Sequence, residues 1–422
     1  MSQPVTNRTD PIAALRERGF LLYSAGSLVS NTGNQMRSVA VGWEVYHRTG
    51  EALYLGLVGL VLALPVILLA LPAGAAADRY SRRVLIMLAQ AGLAVSGLGL
   101  AWASATTAPL GLVYLFLLGT GVFRALGWPA ATALVAGLVP PGVFPNAAMW
   151  RSVSFQLAAT LGPLVGGLLL AWWSPVAVYL VDAASSVVLL ILLVFVRPRP
   201  QARSAEPKSW RNFLQGVRFL ARQPIILSTM TLDMIAVLFG GATALLPIYA
   251  TDVLGVGATG FGWMRAMPSL GAIVMGIVLA TRPPIERGGR TLLWAVTAFG
   301  VATIVFGLST SYPLSLLALF LLGAADNISV VIRATVLQLL TPDSMRGRVS
   351  AVSIIFIGTS NEIGELESGL AAQWLGLTIT VAGGGVLTLV TVAAVAAMWP
   401  ELRQLGSLEH LEPPEPVEQI TG

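Results

Sequence analysis

Two runs of 20 residues, Leu55–Gly74 and Val84–Ala103, carry no charged side chain, and the short loop between them carries four. An apolar run of that length, wound as a helix, reaches across the hydrocarbon core of a bilayer. Twelve such segments are predicted, at roughly 20–43, 52–76, 84–104, 109–132, 146–172, 175–196, 224–250, 257–281, 291–309, 313–336, 348–373 and 376–399. Their length and continuity predict helices, because barrel strands are about ten residues long and alternate in polarity. The expected class is an all-α integral membrane protein.

Composition excludes the alternatives. Only 11% of the 422 residues are charged and 55% are hydrophobic, whereas soluble domains carry about a quarter charged residues. Without Cys there is no disulfide framework and no thiolate metal site. His47 and His410 are the two His and lie far apart in the sequence, so no metal site is expected. No cofactor is expected either: no Walker motif or soluble ATPase domain points to ATP, which leaves an ion gradient, expected to be protons, as the drive. The first residues are polar and lack an apolar core, so no cleavable signal peptide is expected.

The net charge of +5 raises the question of nucleic acid, and the placement of the basic residues answers it. With the N-terminus in the cytoplasm, nineteen of the 25 Lys and Arg fall in cytoplasmic segments. Arg48 alone falls on the opposite face, and Arg37, Arg124, Arg151, Arg265 and Arg333 lie inside spans. Positive charge marks the cytoplasmic side, so the basic excess is a topology signal and no nucleic-acid partner is expected. The predicted location is a bacterial cytoplasmic (inner) membrane, with both termini inside.

One long connection divides the spans six and six. The predicted domains are a six-helix bundle at 1–197, a cytoplasmic linker at 198–223, a second bundle at 224–400 and a disordered tail at 401–422. In the linker, Trp210, Phe213, Leu214, Val217 and Leu220 share one helical face, opposite Arg211, Gln215, Arg218 and Arg222. Two readings stand for this helix: it lies on the inner membrane surface, or it packs on the bundle.

A shift of 203 residues brings Pro65 onto Pro268 and Arg79 onto Arg282, and it aligns the ends of spans 4 and 10. The loop after span 2 reads GAAADRYSRR. It resembles the loop signature of the major facilitator superfamily, G-x-x-x-D-R-x-x-R-R, at Gly74, Asp78, Arg79, Arg82 and Arg83. The resemblance implies two pseudo-symmetric six-helix bundles and a latch that closes the cytoplasmic ends of the halves in the outward-open state. An anchor serving topology alone would explain the arginines but leave Asp78 idle. The equivalent second-half loop, ATRPPIERGGR, lacks the Asp.

Span 5 holds Gly162, Pro163, Gly166 and Gly167, which resemble the GP-x-x-GG element of major facilitator exporters. Such an element supplies a bent, close-packing helix. NEIGELESGLAA in span 11, VRFLARQP before span 7 and TPDSMRGRVSA after span 10 resemble the branch that contains the bacterial enterobactin exporter.

The resemblance places spans 1, 4, 7 and 10 around a central cavity. Asn31, Asn34, Gln35, Arg37, Arg124 and Asn327 are the expected cavity residues. Asp233 and Asp326 are candidates for reversible protonation, because burial favours the neutral form of a carboxyl; a static ion pair with Arg37, Arg124 or Arg265 is the other reading. Glu362 and Glu365, three apart on one face of span 11, are a second candidate pair, with hydrogen bonding to Arg151 or Arg265 as their alternative. Asp182, in a peripheral span, is expected to be structural.

The implied function is secondary active transport: a proton-coupled exporter, working as a monomer among membrane lipids on a medium-sized amphiphile, a drug or an anionic catecholate-like siderophore. A lysophospholipid flippase or an importer stands as the alternative. A sensor or an intramembrane enzyme is more remote, since no intramembrane His, HExxH motif or nucleophile elbow is present.

Overall fold

The computed structural model describes residues 10–199, 210–240, 242–283, 285–342 and 345–407. Among these, twelve long helical segments follow the predicted spans, and no strand forms: α1 (Arg18–Thr49), α2 (Ala52–Arg79), α3 (Arg82–Ala105), α4 (Leu110–Ala136), α5 (Phe144–Trp172), α6 (Pro175–Phe195), α7 (from Pro224 to Val253), α8 (Gly257–Thr281), α9 (Gly288–Leu308), α10 (Tyr312–Leu339), α11 (Arg346–Leu375) and α12 (Leu377–Met398). Ten are apolar enough along 18-residue windows to cross a membrane. The other two, α1 and α11, are long at 32 and 30 residues but polar. They carry Asn34, Gln35, Arg37 and Glu44, and Asn361, Glu362, Glu365 and Glu367, respectively.

Each half forms its own bundle. In the first, α1 packs on α5 and α6, and α4 on α2 and α3; in the second, α8 packs on α10, and α9 on α10 and α12. The repeat seen in the sequence has a structural counterpart. Pro65 and Pro268 each sit inside a helix, where the ring costs a backbone hydrogen bond. Each is met by a glycine of the helix two spans on, Gly121 and Gly323. Glycine lets the bent backbone approach closely. Around Pro247, α7 gives way from α-helix to a 3₁₀ turn at Ala242–Leu245 and a π turn at Tyr249–Val253.

The apolar core is divided unequally along the membrane normal. At the end carrying the α2–α3 loop, here the basic face, the halves have separate cores. Phe20, Ile86, Leu134 and Leu193 build one, and Ile226, Leu292, Ile332 and Val349 the other. At the opposite face a single cluster joins both halves: Met36, Val45, Leu117 and Tyr179 pack with Leu245, Tyr249, Phe261 and Phe306. Tyr179 and Tyr249 are fully buried, and their hydroxyls donate to Glu44 Oε2 at 2.9 Å and to the Gly307 carbonyl at 3.0 Å.

One expectation changes. Residues just after α12 are ordered rather than part of a loose tail: Pro400–Gln404 is helical, and Leu402 and Leu405 are buried. The Gly288 and Gly289 amides donate to the Gly406 and Leu405 carbonyls at 3.0 and 3.2 Å. The rest of the tail, from residue 408, lies outside the described residues. The linker helix (Trp210–Ala221) packs on α11 through Gly216 and Leu220, while Leu214 and Val217 stay exposed. Its apolar face is therefore shared between the bundle and the surroundings. The preceding residues 200–209 lie outside the described residues.

Candidate functional site

Two seams join the halves, α2 against α11 and α5 against α8, and glycines make both. A β-carbon placed on Gly369 of α11 would sit 2.7 Å from the α-carbon of Gly56, on α2; one on Gly167 of α5 would sit 2.8 Å from the α-carbon of Gly262, on α8. Real side chains do not come so close, so the backbones touch directly. The seams are pseudo-symmetric in position but differ in charge. Only the first holds carboxylates, because α11 carries Glu362 and Glu365.

Arg124 of α4 reaches Glu362 at 3.5 Å, and this ion pair crosses between the halves; the side chains are 31% and 18% exposed. One turn on, Glu365 lies against Gly59 of α2, where an added β-carbon would be 2.8 Å from its Cβ and Oε2. A second cross-half tie runs from Arg265 of α8, whose guanidinium donates to Ser38 Oγ of α1 and to the Thr243 carbonyl at the break in α7, each at 3.0 Å.

Two further intramembrane ion pairs each form inside one half. Arg37 binds Asp182 at 2.6 Å and also bonds Asn34; Arg37 and Asp182 are 4% and 1% exposed. Arg37, expected in the cavity, is thus a core residue of the first half, where the short reach from α1 to α6 brings it to Asp182. Asp233 pairs with Arg333 of α10, not with Arg37, Arg124 or Arg265, because the stretch of α7 that carries it packs within the second half, on α12, α11 and α10. Asp326 is half-buried near that pair and has no ion pair of its own among the described residues. Asn31, Asn34, Gln35 and Asn327 are half-buried, with Gln35 against Gly162.

The face opposite the basic loops is closed by contacts that have no signature in the sequence. Tyr46 of α1 donates to Asp252 at the end of α7, across the halves. Trp43 stacks on Phe261 with ring centroids 5.9 Å apart. Beside it, Glu44 is held by Arg48 at 3.2 Å and by the Tyr179 hydroxyl.

The model of the transmembrane secretion effector family matches residues 9–420, nearly the whole chain. The protein belongs to this family of major facilitator transporters. It is a multi-pass membrane transporter and not an enzyme. The enterobactin exporter EntS of Escherichia coli O1:K1 is 26% identical over 358 residues, covering 84% of this chain and 82% of that one; EntS of Shigella boydii serotype 18 matches equally. Solved major facilitator structures share the fold. A bacterial homologue of the human lysosomal transporter Spinster, in an inward-facing and occupied conformation, gives a TM-score of 0.69 at 16% identity, covering 94% of this chain and 98% of that one. The nucleoside transporter NupG gives 0.65 at 14%, covering 91% and 98%. The peptide transporter POT gives 0.72 at 14%, covering 92% and 96%.

In this major facilitator fold the signature loop lies between α2 and α3. Arg82 donates to the Ala133 carbonyl at 3.0 Å and Arg83 to the Val194 carbonyl at 2.7 Å. Both arginines therefore cap C-terminal turns of first-half helices, α4 and α6, where free carbonyls and the helix dipole favour a cation. Arg79 is exposed and lies over the Tyr80 ring. Gly74 is buried and Asp78 half-buried. The Gly162, Pro163, Gly166, Gly167 element is used on two sides. Gly162 and Gly166 meet Gln35 and Met36 of α1, while Gly167 and the Pro163 carbonyl meet Gly262 of α8.

Proposed function

We propose that this transporter is a proton-driven exporter that moves a medium-sized amphiphile from the basic face to the opposite face by alternating access. One observation carries the reading: the halves share a single apolar core at the face opposite the basic loops and keep separate cores at the basic face. With positive charge marking the cytoplasm, that arrangement corresponds to a state open inward. The enterobactin exporters at 26% identity support export and a siderophore-like cargo rich in hydrogen-bond donors. We place the protein in a bacterial inner membrane with both termini inside, acting as a monomer.

The coupling chemistry fits the charged seam. An ionised Glu365 or Glu362 accepts hydrogen bonds from a catechol hydroxyl or a protonated amine. A protonated carboxyl is a poorer acceptor and carries no charge. Proton and cargo therefore compete for one site, which is what antiport requires: cargo binding from inside releases a proton, and a proton from outside releases the cargo. Protonating Glu362 also removes the attraction that ties Arg124 to α11, so the same event biases the two-state equilibrium. Asp326 is the next candidate, having no ion pair of its own among the described residues; Asp233 is tied to Arg333.

The test is proton release from detergent-solubilised protein on adding enterobactin or ethidium. Release is expected in the wild type and lost in Glu365→Gln or Glu362→Gln. Full release in both variants would move the coupling site to Asp326 or Asp233.

A further inference from the structure

A cleft of about 630 Å³ opens on the periphery of the second half, away from both seams, between α9 and the end of α12. Arg290, Trp294 and Thr297 line it at positions i, i+4 and i+7 of α9, one face of a helix. Arg403 lines the other side from the short helix Pro400–Gln404. That helix is fixed in place, because Leu402 and Leu405 are buried behind it and the Gly288 and Gly289 amides hold the chain that follows. The two arginines thus face one cleft at the basic end of the spans.

Neither Arg290 nor Arg403 has an ion pair or a hydrogen bond among the described residues, and no carboxylate lines the cleft. From Arg290 to Thr297 the cleft runs about 10 Å along α9, at 1.5 Å per residue, from the charged mouth into the apolar zone. Leu293 and Val392 line that deeper part. Trp294, one turn in, is 70% exposed, at the depth where tryptophan meets the glycerol region of a bilayer.

We infer that this cleft binds an anionic glycerophospholipid of the basic-face leaflet. Two guanidinium groups match a phosphodiester, which each can hold through paired N–H donors. The apolar wall below them matches an acyl chain. A zwitterionic headgroup would bring an ammonium that finds no carboxylate here, so the charge pattern selects a net-negative lipid.

The test is native mass spectrometry of the full chain titrated with dioleoylphosphatidylglycerol, with dioleoylphosphatidylcholine and inorganic phosphate as competitors. The dissociation constant of the tightest phosphatidylglycerol adduct should rise about fivefold in Arg290→Gln and in Arg403→Gln, and about 25-fold in the double variant. Arg287→Gln, outside the cleft, should leave it unchanged. Arg290→Lys/Arg403→Lys keeps the charge but loses the paired donors, so its dissociation constant should fall between those of the wild type and the double Gln variant, which separates binding from misfolding. Unchanged affinity in a stably folded double Gln variant would overturn the assignment. So would displacement of the lipid by millimolar inorganic phosphate, or equal affinity for phosphatidylcholine.

Discussion

Arg124 and Glu362 meet at 3.5 Å across the boundary between the two six-helix halves. Within-half pairs hold a bundle together in every conformation. A pair between halves stabilises one conformation over another, and its loss shifts the transport cycle. Both side chains are partly exposed, so the coupling is roughly 1 kcal/mol. Arg124→Gln and Glu362→Gln should each shift the balance of conformers about fivefold and lower uphill transport. A double-mutant cycle read by spin-label distances between the halves should show a non-additive term of that size. Strict additivity would mean that the pair does no conformational work.

Arg37 and Asp182 make the opposite case. Their pair is dry and internal to the first half. Arg37→Met leaves Asp182 buried without a cation and should cost about 3 kcal/mol of stability. Arg37→Met/Asp182→Leu should recover much of that loss. Thermal unfolding in detergent measures both. Wild-type stability in Arg37→Met together with lost substrate binding would return Arg37 to the substrate pathway.

The α5–α8 seam depends on having no side chain at Gly167. A β-carbon there meets the Ala258 carbonyl and the Gly262 α-carbon, both at 2.8 Å. Gly167→Val should disfavour the present conformation by about 1–3 kcal/mol and shift the protein toward the alternative facing. The chain has no native cysteine, so label pairs at the seam can be introduced directly. An unchanged distance distribution would show that the seam persists throughout the cycle.

Asp78→Asn should stop cycling while leaving insertion intact, because it keeps the shape of the loop and removes its negative charge. Arg82 and Arg83 engage first-half carbonyls here, so the latch reading concerns the other facing. Normal transport by a correctly inserted Asp78→Asn protein would reduce the loop to a topology anchor.

The spans were legible because bilayer thickness imposes one length on every apolar run, and the loop signature because a cluster of arginines between two uncharged runs marks a membrane face. Partners of the buried charges were not. Arg37 and Asp182 are 145 positions apart, and no periodicity within α1 points to α6. Asp233 and Arg333 likewise meet only once the second bundle is assembled. Glu362 and Glu365 stood out as an acidic run, but their place at the seam follows from Gly56 and Gly59 of α2, whose meaning depends on what packs against them. Tyr46 and Asp252 gave no signal, since each falls at a helix end where polar residues are common.

The most direct test of proton-driven export uses everted membrane vesicles, in which the basic face points outward. Accumulation of enterobactin or ethidium is followed with an imposed inside-acid gradient and again after nigericin collapses it. Proton-driven export requires uphill accumulation that ends when the gradient is removed and that is lost in Glu362→Gln/Glu365→Gln, while downhill exchange continues. Accumulation that is indifferent to the gradient, or that the double variant retains in full, would contradict it.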